Sequence, residues 1–342
     1  MQSDGFILTV YPLSPPHSTI HEQHTQARKI VENHGQTSLA RFALLPDKSH
    51  FFSPDGSVIA YVRKGRTALT LGDPIGTKDN TASSIEAFKD FCAQNQWQAC
   101  FYQIQPNHLD IYADHGFDIM RIGQEAIIDL TTFNLAGSAG GKLRNAVCRM
   151  TRLGYHVKVH ESPLSDELLG RLDAVSNEWL TRRLGREVRF SVGWFDKEYV
   201  RHSTVAAVYS PEGCITAFAN IVSGNQNDRV VLDLMRHCHK VESRTMDFLF
   251  VSFLEWAKQR GHSTFSLGFC PLSGIGENSQ DPFIEKALHV LYENIKGYPN
   301  LKGLHAFKDK FHPRWELRYM AYPSFAHLPA IGMALARAHF GD

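Results

Sequence analysis

Several groups of residues have side chains able to do chemistry, but most stand at spacings that do not serve it. His17, His21 and His24 fall at helical spacing and carry metal-ligating nitrogens, yet His21-Glu22-Gln23-His24 is not the HExxH pattern, and a solvated helix is expected. His237-Cys238-His239 also carries ligating atoms, but adjacent side chains point apart, which favours a turn. Gly274-Ile275-Gly276 lacks the third glycine of a dinucleotide fingerprint, and no Gly-x-Ser-x-Gly elbow occurs. A loop that cradles the pyrophosphate of coenzyme A would read Arg/Gln-x-x-Gly-x-Gly/Ala. The nearest segment, Arg182-Arg183-Leu184-Gly185-Arg186-Glu187, fails at its last position, which argues against CoA chemistry. Neither a cofactor nor a metal is expected.

Charge is more informative. The segment from Lys142 to His160 holds Lys142, Arg144, Arg149, Arg152 and Lys158 and no acid. Leu143, Ala146, Val147 and Met150 recur at helical spacing, so Lys142, Arg149 and Arg152 fall together on the outer side of one helix. Arg182, Arg183, Arg186 and Arg189, opposed only by Glu187, make a second cluster. Lys302, Lys308, Lys310, Arg314 and Arg318 make a third. The whole chain has 36 Lys+Arg against 35 Asp+Glu, so the basic charge is segregated rather than general. Such segregation points to a polyanionic partner, an RNA or an anionic membrane, and excludes a uniformly basic nucleic-acid binder.

These residues have to be positioned by elements, and the elements repeat. Phe51–Val62 and Val205–Val222 each read as strand, Ser-Pro-acid-Gly turn, strand, with turns at Ser53–Gly56 and Ser210–Gly213. Each copy continues with a strand that reaches an aspartate, Asp73 or Asp233, then a helix (near 83–96 and 246–260) and a strand (near 99–105 and 264–269). A further helix and a last strand follow, ending near 130 and 323. The order β-β-β-α-β-α-β in each half is that of the acyltransferase fold called GNAT. The expectation is therefore α/β (α+β): tandem GNAT-like domains, each a mostly antiparallel central sheet flanked by helices. The boundaries expected are an arm over 1–20, a first domain over 21–136, and a second over 137–342 carrying the basic helix and a C-terminal helix. With 342 residues and 43% hydrophobic content the chain is long enough for two cores. The six scattered cysteines read as reduced thiols. No apolar run approaches the ~20 residues of a membrane span, so the default expectation is a soluble, cytoplasmic chain or a soluble piece of a membrane protein.

Three stretches carry a family resemblance: 142–155 with 177–196; AFANIV, LDLMR, MDFLF and LGFCPLSGIG between 217 and 276; and GYPNLKGLHAFKDKFHPRWELRY at 297–319. Together they resemble the C-terminal catalytic domain of the phosphatidylglycerol lysyl- and alanyltransferases, the multiple-peptide-resistance-factor family, over most of the chain from about Phe51. The resemblance implies transfer of lysine or alanine from aminoacyl-tRNA to a hydroxyl of phosphatidylglycerol, which makes the membrane less negative and underlies resistance to antimicrobial peptides. It implies peripheral contact with the inner face of the cell membrane and no protein partner. It also implies site residues. Asp233 would grip the donor α-amino group or orient the acceptor hydroxyl; Arg236 would hold phosphate or stabilise developing negative charge, provided a bend after Leu234 brings the two together. Lys308 is the second cation, with Lys310 beside it; Glu277 or Glu285 adds a carboxylate, and Arg314 a further substrate contact. Lys142, Arg144, Arg149, Arg152, Arg182 and Arg183 would meet the tRNA. Trp179, Trp194 and Trp315 read as core aromatics. The alternatives are a related transferase with another acceptor, such as a peptidoglycan peptide amine, or a non-catalytic tRNA- or membrane-binding module.

Overall fold

Both Ser-Pro-acid-Gly turns close hairpins, each sealed by a bond from the glycine N–H to the serine carbonyl, at 3.0 Å for Gly56–Ser53 and 2.9 Å for Gly213–Ser210. Gly56 and Gly213 have φ of +89° and +80°, which only glycine adopts cheaply. The computed structural model of the protein describes residues 20–182, 185–223, 229–294 and 301–341. The expected arm over 1–20 lies almost wholly outside them.

The first half contributes strands β1 (Ser49–Phe52), β2 (Val58–Lys64), β3 (Thr67–Leu71), β4 (Gln98–Ile104) and β5 (Asp118–Asp129). Its helices are α1 (Ile20–His34), α2 (Thr81–Gln94) and α3 (Leu109–Asp114). The second half contributes β6 (His156–His160), β7 (Thr204–Tyr209), β8 (Ile215–Ser223), β9 (Arg229–His237), β10 (Thr264–Pro271) and β11 (Arg314–Tyr322). Its helices are α4 (Gly141–Arg152), α5 (Asp166–Thr181), α6 (Lys197–Arg201), α7 (Thr245–Gln259), α8 (Phe283–Asn294), α9 (Leu301–Asp309) and α10 (Leu328–Phe340).

The fold is α/β, with helices on both faces of a mostly antiparallel sheet. The strands expected to form two sheets join into a single one of eleven strands, in the order β1-β2-β3-β4-β11-β5-β10-β9-β8-β7-β6. In each half successive strands pair antiparallel up to one parallel pair, β3 with β4 and β9 with β10. The last strands are then exchanged: β11 pairs with β4 of the first half, and β5 pairs with β10 of the second. β5 and β11 also pair with each other over Arg314–Tyr322 against Ile127–Asp118. The exchange ties the halves together through backbone hydrogen bonds at the middle of the sheet.

Alternating residues divide the core into two layers. Ala99 and Phe101 of β4 pack under α2 and α3 with Phe88 and Tyr112, whereas Cys100 and Tyr102 face the opposite layer with Ile331 and Ala334 of α10. On β8, Ala217, Ala219 and Ile221 pack against α4 and α7, and Phe218 faces Leu169 and Leu172 of α5. No helix among the described residues is long and apolar enough to cross a membrane.

Candidate active site

The parallel pair β9–β10 holds together only through Arg229–Val231 against Thr264–Ser266. Beyond that the strands part, because β10 shifts register at Ser266–Gly268, and Gly268 has φ of +85°. The carbonyls of Gly268 and Phe269 turn instead to the buried ammonium of Lys308 on α9, which donates to them at 3.0 and 3.2 Å. A cavity of about 310 Å³ occupies the layer in front of this opening. Its walls are largely apolar, with Leu39, Phe42, Tyr102, Phe269, Leu301 and Leu304 among them.

Asp233 and Arg236 both line this cavity. Residues three apart on a regular strand face opposite ways, but β9 carries a bulge: Leu232 pairs with Ile221 and Met235 with Ala219, so Asp233 and Leu234 together oppose Asn220. The side-chain oxygen of Asn220 takes the displaced N–H of Leu234 at 2.8 Å. The bulge resets the alternation and puts Asp233 and Arg236 on one face.

The Asp233 carboxylate accepts from the Gly193 N–H at 2.7 Å and from the Tyr199 hydroxyl at 2.6 Å. Burial pushes its pKa up, and these two hydrogen bonds oppose the shift. Tyr199 is held as a phenol, its own pKa driven well up by burial and by Asp233. The approach of the 190s loop requires glycine, since a Cβ on Gly193 would lie 2.3 Å from Asp233 Oδ2 and 2.7 Å from the Tyr199 ring. Arg236 is 3% exposed and lies over the Trp179 ring, 4.2 Å from its centroid. Its Nη2 donates to Glu187 at 2.6 Å, while Nη1 is buried with no hydrogen-bond partner among the described residues. A buried guanidinium N–H without an acceptor is costly, and this one sits in the cavity wall, where an anionic or carbonyl oxygen of a ligand would satisfy it.

Behind the opening, Glu125 of β5 is buried, accepting from Arg318 Nε of β11 at 3.0 Å and from the Ser266 hydroxyl of β10. The central strands of the exchange are thus stitched by one ion pair. Burial lowers the Lys308 pKa, and the charge of Glu125 works against that shift.

The other sequence candidates lie elsewhere. Glu277 is exposed in the loop after Gly276 and is not part of the cavity lining. Glu285 is buried, but it binds Arg121, accepting from its N–H at 3.0 Å and its Nε at 2.7 Å, and so locks α8 to β5. Lys310 is paired at 2.8 Å with Asp247, in the first turn of α7, and Arg314 is exposed and paired at 2.7 Å with Glu316. Lys142, Arg144, Arg149 and Arg152 project from the exposed face of α4; Arg149 meets Glu242 at 3.1 Å, and Arg144 caps the Gly137 carbonyl at 2.7 Å. That helix packs on the sheet face opposite the cavity. Arg182 donates to the His239 carbonyl at 3.3 Å, and Arg183 lies outside the described residues. Trp179, expected in the core, forms cavity wall. Sequence reasoning missed Tyr199, Gly193 and Glu125 altogether. Glu187 was visible as the lone acid in an arginine cluster, a signal that such an acid pairs with a nearby buried cation.

The fold and site define an α/β domain whose two halves exchange their last strands and whose parted parallel strand pair opens beside a cavity holding a carboxylate and an arginine. The family model for the C-terminal region of phosphatidylglycerol lysyltransferase matches residues 28–322, and the chain belongs to that family. It is 34% identical over 294 residues to the phosphatidylglycerol lysyltransferase of Bacillus subtilis, covering 86% of this chain and 34% of that protein. It is 29% identical over 313 residues to that of Staphylococcus epidermidis strain RP62A, covering 91% of this chain and 37% of that protein. The chain thus spans about a third of the length of these relatives. Among solved structures, the L-PGS of Bacillus licheniformis matches with a TM-score of 0.80 at 32% identity, covering 92% of this chain and 95% of that one. The C-terminal domain of an Agrobacterium fabrum protein provisionally assigned as a lysylphosphatidylglycerol synthetase matches with a TM-score of 0.84 at 32% identity, covering 94% and 98%.

Proposed function

We propose that this chain transfers an amino acid from the ester of aminoacyl-tRNA to a hydroxyl of phosphatidylglycerol. Family membership supports the lipid acceptor, and the relatives' names favour lysine over alanine as the amino acid. The observation that carries the reading is the bulge that turns Asp233 and Arg236 into one largely apolar cavity.

The step is an ester exchange. The lipid hydroxyl oxygen bonds to the aminoacyl carbonyl carbon, the bond from that carbon to the terminal ribose oxygen breaks, and the hydroxyl proton ends on the ribose oxygen. The donor ester is already activated, so the step draws on no nucleotide cofactor. Asp233 grips the donor α-amino group or orients the acceptor hydroxyl, with Tyr199 and Gly193 fixing its carboxylate. Arg236 offers Nη1 to the lipid phosphate or to the oxyanion of the tetrahedral intermediate. Lys308 holds the opening in β10 and adds positive potential behind it. The exposed cations of α4, with Arg182 and Arg183, face the tRNA. In this reading residues 21–136 and 137–342 are two like-built units, and the chain works peripherally at the inner face of the membrane.

The test mixes the purified chain, charged tRNA and phosphatidylglycerol vesicles and looks for aminoacyl lipid by mass spectrometry. Aminoacyl-phosphatidylglycerol is the expected product. Its absence with lysyl-, alanyl- and arginyl-tRNA alike overturns the reading.

A further inference from the structure

Seven large apolar side chains are exposed among the described residues, and five of them, Phe283, Val290, Phe325, Met333 and Phe340, belong to α8, α10 and the turn that leads into α10. The concentration is not scattered over the molecule. The inner faces of both helices, through Ile284 and Leu288 on α8 and Ile331, Ala334 and Ala338 on α10, pack on the same core cluster with Met320 and Tyr322 of β11. On α10 the exposed positions Pro329, Met333, Ala336 and Phe340 follow the spacing i, i+4, i+7, i+11 of one helix face. The helix contains no Asp or Glu, and Arg337 is its one full charge.

Two other features meet this face at Phe340. That ring lines the cavity holding Asp233 and Arg236, so the apolar stripe runs to the cavity's edge. It also lines a neighbouring hollow where Arg63, Lys64, Arg186, Arg189 and Arg337 come together. The two acids there are already engaged: Asp47 bonds Lys48 at 2.6 Å and Glu187 bonds Arg236 at 2.6 Å. An apolar stripe with a basic rim, at the entrance to a site for a lipid, is the composition that suits a bilayer interface. The apolar face enters the boundary between headgroups and acyl chains, and the cations meet anionic phosphates. An RNA would use the cations and gain nothing from the stripe.

We propose that the outer face of α10, with Phe325 ahead of it, is the surface on which this domain docks onto an anionic membrane and draws its acceptor from it. The inference rests on the reading that the acceptor is a membrane lipid. It goes further by naming the surface and by setting it on the opposite sheet face from the basic helix α4.

The experiment measures co-sedimentation of the 342-residue chain with vesicles of phosphatidylglycerol and of phosphatidylcholine, for the wild type, Met333→Glu, Phe325→Glu and Arg337→Glu. Transfer to a monomeric short-chain phosphatidylglycerol is followed in parallel, and a thermal melt confirms that each variant is folded. The wild type is expected to bind the anionic vesicles preferentially. Met333→Glu and Phe325→Glu should cut partitioning about tenfold or more, since each places a charge where an apolar group enters the interface. Arg337→Glu should cut it less, and that loss should shrink as salt is raised. All three should transfer to the short-chain acceptor like the wild type. Folded variants that partition like the wild type, or a wild type that does not bind anionic vesicles, overturn the docking surface. Vesicle binding that depends on this face in a chain without transfer to either acceptor upholds the surface and overturns the acceptor reading instead.

Discussion

The two parallel strand pairs of the sheet start from one design and end differently. In each, a strand reaches an aspartate just where its partner breaks register, Asp73 beside β4 and Asp233 beside β10. In the first half the pairing of β3 and β4 runs through five residues and on to a bond from the Gly72 N–H to the Tyr102 carbonyl at 2.7 Å. Asp73 is then consumed locally. It accepts from the Gln105 N–H at 3.1 Å and the Tyr112 hydroxyl at 3.2 Å, and His108 Nδ1 lies 3.1 Å away. In the second half the pairing stops after three residues, Lys308 takes the two freed carbonyls, and Asp233 faces a cavity. Each carboxylate accepts one backbone N–H and one tyrosine hydroxyl, so the contrast lies in what surrounds it: Asp73 stands beside a strand pair that stays closed. Asp233 stands instead at the opened pair, lining a cavity beside Arg236, whose Nη1 has no hydrogen-bond partner among the described residues.

The contrast is sharpest in substitutions of the two aspartates. Asp233→Ala or Arg236→Ala should lower aminoacyl-lipid formation by an order of magnitude or more, read as kcat/KM. Asp73→Asn should leave that rate near wild type and instead lower stability by about 1–3 kcal/mol, measured by denaturant unfolding, because the donors around it lose a carboxylate oxygen as acceptor. Equal loss of transfer from both would erase the distinction. Gly193→Ala comes next: its Cβ meets Asp233 and Tyr199 inside contact distance, so transfer should drop with a stability cost of about 1–3 kcal/mol. Lys308→Met should destabilise by a similar ~1–3 kcal/mol by stranding the Gly268 and Phe269 carbonyls.

The smallest expected effect depends on pH. The folded-state pKa of Asp233 is raised, so the stability tied to its protonated form is present below its unfolded value and is lost as pH rises through the folded one. Asp233→Asn should therefore gain stability relative to wild type as pH increases from 4 towards neutrality, while losing transfer. A melting-temperature series over that range checks the sign; a difference that is flat or falls with pH would show that the hydrogen bonds and charge around the carboxylate match or outweigh its burial.

The sequence showed the repeat because both hairpin turns and both strand-terminal aspartates are local features. It also placed α7 to within a residue or so and set Leu143, Ala146 and Met150 on the buried side of α4. It did not show the strand exchange, since β5 and β11 have the same alternating pattern whichever neighbour they pair with. Glu285 and Lys310 looked available because a sequence does not reveal that Arg121 and Asp247 arrive beside them. Glu125 is buried beside Arg318 from a strand 193 residues away.

What the chain's own order determined is therefore the list of elements, their polarity and the residue types at strand ends, because turn chemistry and side-chain periodicity act over a few residues. Tertiary structure alone decided that one crevice closes and the other opens. That choice depends on a bulge set by Asn220, a loop glycine against Asp233 and a lysine from α9. These groups are far apart along the chain and become neighbours only when the sheet is complete.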